Sequence, residues 1–106
     1  MKKLGFGLMR LPLLDKNNKS SINQEQFNKM VDYFMENGFN YFDTAYTYLD
    51  GNSEIAFKKA VVERYPRESF LIADKLPIFD LKSTQHMYEI FDKQLERCGV
   101  DYFDYY

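Results

Sequence analysis

An α/β fold with a parallel sheet is predicted by three observations. Short apolar, strand-like segments alternate with segments of helical period along the 106 residues. Asp43, Lys75 and Tyr106 recur roughly 30 residues apart, the repeat length of a βα unit. No long linker or low-complexity stretch breaks the alternation. Strand–helix alternation of this kind gives parallel strands joined by right-handed crossovers.

The first strand falls within residues 4–9, where Gly5 and Gly7 suit close backbone approach to a neighbour or ligand, and Arg10-Leu11-Pro12 stops it. Residues 15–21 are polar and read as loop. The first helix opens at Asn23, with Gln26 three residues on to complete a capping box and Ile22 and Phe27 placed as a hydrophobic staple. Phe27, Met30, Val31, Phe34 and Met35 form its apolar stripe, and Gly38 with Phe39 reads as its left-handed stop.

Residues 39–44 are short and dense in aromatics, hence a second strand. Asp50-Gly51-Asn52 marks a turn, from which Asn52 or Ser53 caps a second helix running to about Glu63, with Ile55, Ala56, Ala60 and Val61 inward and Pro66 beyond its end. Residues 70–76 form the third strand, broken by Pro77. The third helix runs from about Thr84 to Gly99 with Met87, Ile90, Phe91, Leu95 and Cys98 on its inner face, and residues 100–106 begin a fourth strand. Two architectures fit this order: a doubly wound open sheet, or an arc of a (β/α)8 barrel. A full barrel takes about 250 residues, so this chain would supply only part of one.

Composition narrows the function classes. A hydrophobic content of 45% and a charged content of 28% are those of a globular chain the size of one domain. A net charge of −2 argues against a polybasic nucleic-acid or membrane-surface binder. No apolar run approaches the roughly 20 residues of a membrane span. The lysines at the start lead into no continuous apolar stretch, so no signal peptide is expected and a cytoplasmic location fits. A single cysteine, Cys98, excludes an internal disulfide and a cysteine-based metal cluster within the chain; no metal site is expected. Nine Tyr and ten Phe without a Trp require either a very aromatic core or a partner surface.

In parallel α/β folds, reactive groups collect where strands end. Those ends here are residues 7–10, residues 43–48, and Asp74-Lys75. They offer a carboxylate, phenols and an ammonium from successive strands. Neighbouring strands would let Asp43 and Lys75 pair at one rim. A phenol held near that lysine would have its ionised form stabilised, lowering its pKa from about 10 and making it a usable proton donor. Against this, an Asp-Thr pair at a strand end often makes only local backbone bonds, and a strand-end lysine commonly reaches out to water. Spacing does not separate Tyr46 from Tyr48. Asp74 and Lys75 should point to opposite faces. Cys98, on an apolar stripe, reads as packing, and His86 as a solvent-facing helix residue.

Five segments in order carry a specific resemblance. They are Gly5-Phe6-Gly7-x-Met9-Arg10-Leu11-Pro12, Phe42-Asp43-Thr44-Ala45-x-x-Tyr48, Gly51-Asn52-Ser53-Glu54, Lys75 after an apolar strand, and Leu95-x-x-Cys98-Gly99-Val100-Asp101-Tyr102-x-Asp104. Together they resemble the aldo/keto reductases over essentially the whole chain, but only the N-terminal part of that family's barrel. The resemblance implies about three and a half βα units of a (β/α)8 TIM barrel, a single partial domain spanning residues 1–106 and truncated in the fourth strand. It implies that Asp43, Tyr48 and Lys75 are three members of a catalytic tetrad, and that Gly7, Leu8, Met9, Arg10 and Asp43 lie beside the cofactor. It implies NADPH-dependent reduction of an aldehyde or ketone, with NADH as a possible substitute. The fourth tetrad member, a histidine, would follow the strand that stops at Tyr106, and His86 does not stand in for it.

Two expectations follow. One is a carbonyl reductase whose isolated chain is inactive because its site and cofactor surface are incomplete. The other is a non-catalytic half-barrel module that associates through its strand edges with a C-terminal half or another copy. A doubly wound nucleotide-binding domain fits less well, because Gly5-Phe6-Gly7 lacks the third glycine and does not open a helix.

Overall fold

A computed structural model describes residues 3–106. Met1 and Lys2, on which the reading of the chain's start partly rests, lie outside the described residues. Three strands, β1 (Gly5–Gly7), β2 (Tyr41–Asp43) and β3 (Leu71–Ala73), form a parallel sheet in the order β1-β2-β3. Helices α1 (Gln24–Glu36), α2 (Asn52–Phe57) and α3 (Thr84–Cys98) alternate with them. The register aligns Gly7, Asp43 and Ala73, so all three strands end level.

The strands alternate faces. Phe6, Phe42 and Ile72 stand in one row across the sheet and pack into the helical layer. That layer is an aromatic stack: Phe42 meets Phe6 at 6.0 Å, Phe34 at 5.3 Å and Phe57 at 5.5 Å between ring centres. Each such pair adds about 0.5–1.5 kcal/mol beyond the area it buries. The opposite row carries Tyr41, Asp43 and Leu71, with the Tyr105 ring 5.7 Å from that of Tyr41. The first of the two expectations for the rings holds: Phe27, Phe34, Phe42, Phe57 and Phe70 are buried in an aromatic core, while Tyr33, Phe79, Tyr88, Tyr102, Tyr105 and Tyr106 are exposed.

Helix α1 follows its local chemistry. Asn23 accepts from the Gln26 amide at 3.1 Å, and Gly38 at φ 86° lets its own amide and that of Phe39 reach the carbonyls of Met35 and Phe34. The reciprocal half of the capping box is replaced, because the Asn23 amide donates instead to Pro12. Met30 is exposed rather than buried.

Helix α2 departs further. Neither Asn52 nor Ser53 caps it; Gly51, at φ 89°, precedes its first residue. It gives way after Phe57 to a π-helical turn, Lys58–Val62, and Ile55 faces outward. Helix α3 starts on Ser83, whose hydroxyl accepts from the His86 amide at 3.0 Å, and stops on left-handed Gly99. Its inward face includes Gln94 as well as Ile90 and Cys98, while Met87 is exposed.

The fourth strand is reduced to one parallel bridge between Ala73 and Tyr105, supported by the Asp74 amide donating to Tyr105 at 3.1 Å. Next to it the Asp104 amide donates to the Ile72 carbonyl at 3.0 Å, while the Asp104 carboxylate takes the place of a strand partner for β3, accepting from the Ile72 amide at 2.8 Å and from Arg67 at 2.8 Å.

Candidate active site

Level strand ends gather the residues that follow them on one rim. Asp43 closes β2, and Lys75 lies just beyond β3. The Lys75 ammonium donates to Asp43 Oδ1 at 2.5 Å and to the Thr44 carbonyl at 2.8 Å. Its nitrogen also lies 5.1 Å from the centre of the Tyr48 ring. Partial burial works against the ammonium's charge, but the Asp43 hydrogen bond and charge, with Tyr48 beside it, outweigh burial and hold Lys75 above its usual 10.5. Asp43, Tyr48 and Lys75 thus form one corner. Tyr46 does not join it: its ring stacks under the Arg97 guanidinium, 4.4 Å away.

Tyr48 is placed by an unusual turn. A 3-10 turn spans Tyr48–Gly51, and within it Leu49 (φ 51°) and Asp50 (φ 56°) are left-handed, followed by Gly51. Left-handed backbone costs a non-glycine residue roughly 1–2 kcal/mol. Local bonds offset part of that cost: the Asp50 amide donates to Thr47 at 3.1 Å, and the Asn52 side chain to Leu49 at 2.9 Å. The reversal carries the chain straight into α2 and leaves the Tyr48 ring facing Lys75.

Residues 7–10 occupy the same rim. The Leu8 side chain is fully buried, its amide donates to the Asp43 backbone carbonyl at 2.9 Å, and its own carbonyl accepts from the Ser53 hydroxyl at 2.8 Å. Leu8 therefore fixes the turn, while Gly7, Met9 and Arg10 are exposed around it. A Cβ on Gly7 would meet no atom within 4 Å, so packing inside this chain does not explain the glycine.

A small cleft of about 210 Å³ opens beside the corner, lined by Tyr46, Tyr48, Lys75, Leu76, Pro77 and Phe79. A larger groove of about 590 Å³ lies between β1 and α1, where Leu4, Phe6, Met30, Tyr33 and Phe34 line it. Size does not decide here. The groove is apolar and lined by none of Asp43, Tyr48 and Lys75, whereas the cleft holds the phenol and the ammonium.

The profile of the aldo/keto reductase family matches residues 3–106. The chain belongs to that family. Among solved structures, it resembles an aldo-keto reductase from Bacillus halodurans in its holo form, at 27% identity and a TM-score of 0.73, over 96% of this chain and 34% of that one. A Klebsiella pneumoniae aldo-keto reductase in complex with NADPH shares the fold at 21% identity and TM-score 0.71, over 94% and 32% of the two chains. A thermostable aldo-keto reductase in complex with the inhibitor epalrestat does so at 21% identity and TM-score 0.71, over 98% and 36%. This aldo/keto reductase chain thus spans about a third of the length of each. Among the described residues no helix is long and apolar enough to cross a membrane.

The sequence reading assigned no role to two residues of this family member that shape the site, Glu54 and Arg97. Glu54 is fully buried in α2, and Arg97 from α3 donates to its Oε1 at 3.0 Å and to the Tyr46 carbonyl at 3.3 Å. Glu54 stood inside the quoted Gly51-Asn52-Ser53-Glu54 segment, but no spacing rule links it to Arg97. Ser53 and Thr44, buried side by side with hydroxyls 2.9 Å apart, tie the same loop to the strand ends. Asp74 points away from the rim as expected, 2% exposed against Cys98. Burial, then the neighbouring carboxylates, pushes the Cys98 thiol far up, which makes it an inert packing group. His86 accepts from the Lys82 amide at 3.2 Å in the first turn of α3.

Proposed function

We propose that this chain forms the first three and a half βα units of a (β/α)8 barrel and supplies the Asp43–Tyr48–Lys75 corner of an NAD(P)H-dependent carbonyl reductase. The observation that carries this reading is the lysine bonded to Asp43 and lying over Tyr48. An ammonium beside a phenol favours the negative charge left when the phenol gives up its proton. Tyr48 is then the proton donor to a carbonyl oxygen held in the adjoining cleft, Lys75 stabilises the charge left behind, and Asp43 fixes Lys75.

The residues present leave room for a nicotinamide cofactor at this rim. Gly7 has open space where a Cβ would stand, and Met9, Arg10 and Asp43 surround it on the accessible rim, with Leu8 holding the turn from beneath. When bound, NADPH (or NADH) supplies the hydride. A small aldehyde or ketone is the substrate class, and the chain alone is inactive.

The test is cofactor oxidation with a panel of aldehydes and ketones, by this chain alone and by this chain joined to the remaining strands of a relative's barrel. Turnover is expected only in the joined protein, and Tyr48→Phe should abolish it. Turnover that survives Tyr48→Phe would overturn the site assignment. Turnover by the chain alone, lost on Tyr48→Phe, would overturn the inactivity.

A second reading rests on the apolar groove beside β1, where Leu4, Met30 and Tyr33 are exposed next to an unpaired strand edge. On this reading the chain is an association module that pairs with a C-terminal half or a second copy. Light scattering on a size-exclusion column tests its self-associating form. A stable monomer would exclude self-association.

A further inference from the structure

Away from the corner, the described residues bury a second set of ionisable groups. Glu54 in α2, Asp74 beyond β3 and Cys98 in α3 bring their oxygen and sulfur atoms within 4.8 Å of one another, all nearly or fully buried. Arg97 satisfies Glu54 Oε1 at 3.0 Å. Asp74 Oδ1 accepts from the Lys75 amide at 2.8 Å, and its Oδ2 lies 3.7 Å from the Cys98 thiol. Glu54 Oε2 finds no donor among these groups. In this cluster the Glu54 carboxyl lies against that of Asp74. Two ionised carboxylates cannot share such a place, and a single arginine balances only one of them.

We propose that Glu54 and Asp74 share one proton, and that this carboxyl pair is a positioning clasp joining the loop that carries Tyr48 to the strand end that carries Lys75. The connection on one side runs from Glu54 through Arg97 to the carbonyl and ring of Tyr46. On the other it runs from Asp74 to the backbone of Lys75. Neither carboxyl touches the reacting groups.

The groups facing the pair are Arg97 and Cys98 from α3, Lys75 from the strand end and Tyr106 from the final segment. Burial first, then the Asp74 carboxyl, pushes Glu54 up to about 9 against the pull of Arg97. Burial also raises Asp74. Because the folded value lies above the unfolded one, the protonated pair favours the fold most below about pH 4.5, and that contribution is lost as the pH rises through about 9.

The clasp matters to catalysis only if the proposed function holds, but its test needs no turnover. Carboxyl 13C NMR of the chain should show Glu54 still protonated at neutral pH and titrating near 9. The Tyr48 and Lys75 resonances should show a step at that same midpoint. Glu54→Gln, which keeps the shape and donates to Asp74, should remove the step, keep the neutral-pH melting temperature and flatten its fall with pH. Glu54→Ala should lower that temperature. An ordinary carboxylate midpoint for Glu54, or Tyr48 and Lys75 signals that ignore it, would overturn the proposal. So would a Glu54→Gln variant as unstable as Glu54→Ala, or zinc alone binding stoichiometrically through the Glu54, Asp74 and Cys98 signals.

Discussion

The Lys75 ammonium lies 2.5 Å from Asp43 Oδ1, reached from the neighbouring strand of a parallel sheet whose ends are level. The two side chains are 48% and 40% exposed, so the pair adds little to stability, roughly 0–1 kcal/mol. Its consequence is chemical: it fixes an ammonium against a phenol. Lys75→Met should therefore separate two properties. In the joined barrel, turnover should fall about 10²–10⁴-fold, as for loss of acid–base assistance. The denaturation midpoint of the chain should move little. A variant that unfolds in proportion to its lost turnover would assign Lys75 a structural role instead.

The same pair sets a pH response. Burial alone would lower Lys75, and Asp43 contributes most of what raises it above 10.5. A raised ammonium contributes stability that is present below about 10.5 and lost as the pH climbs through the folded value. Asp43→Asn should bring the Lys75 midpoint down, measured by NMR of its side chain or by the pH dependence of its acylation rate. An unchanged midpoint would show that Asp43 is not the controlling partner.

A different cluster contributes to the acid limb. Arg64 Nη2 donates to both oxygens of Asp32, at 2.7 and 2.6 Å, and the Tyr65 hydroxyl donates to Asp32 Oδ1. The Tyr65 bond, opposed by burial and helped by Arg64, holds Asp32 below 3.8; in turn, burial and then Asp32 push Tyr65 up to about 12. A lowered carboxylate stabilises the fold above about pH 3.8, and that stability is lost as the pH falls through its folded value. Asp32→Asn should cost about 1 kcal/mol near neutrality, a modest figure because the group is a third exposed, and should flatten the acid limb of chemical denaturation curves.

These groups differ in how legible they are. The first helix could be bounded from the sequence because its signals are local: Asn23 caps within three residues, and Gly38 stops it. The pairing of Asp43 with Lys75 was legible because both stand at the ends of strands expected to be neighbours, and the family resemblance singled out Tyr48, whose ring lies by Lys75, over Tyr46. The cap of α2 was not, because two non-glycine residues, Leu49 and Asp50, turn left-handed ahead of Gly51, and no residue pattern marks them for that conformation. Met30, Ile55 and Met87 share the periodicity of buried residues yet are exposed, since a period marks a face without saying what covers it. Glu54 and Arg97 are illegible for a related reason: a hydrogen bond between side chains of two helices leaves no sequence spacing to read.

The left-handed turn makes Gly51 a sensitive position. At φ 89° a side chain is strained, and a Cβ there would lie 2.7 Å from Arg97 Nη1. Gly51→Ala should destabilise the chain by about 1–3 kcal/mol through the backbone alone. It should also displace Arg97 from the Tyr46 ring, visible as a change in tyrosine near-UV dichroism. Loss of stability without that change would confine the effect to the backbone.

Gly7 offers the opposite case. A Cβ there meets nothing within 4 Å, and the residue sits on the exposed rim beside Asp43. The chain's own packing therefore exerts no pressure to keep it glycine, and Gly7→Ala should leave stability within about 1 kcal/mol, with a small gain from reduced unfolded-state entropy. If the open space exists for the cofactor, the same substitution in the joined barrel should weaken NADPH binding measurably by fluorescence titration while Tyr48 chemistry at saturating cofactor persists. Undiminished affinity would remove Gly7 from the cofactor surface and leave only its neighbours Met9 and Arg10 as candidates on that turn.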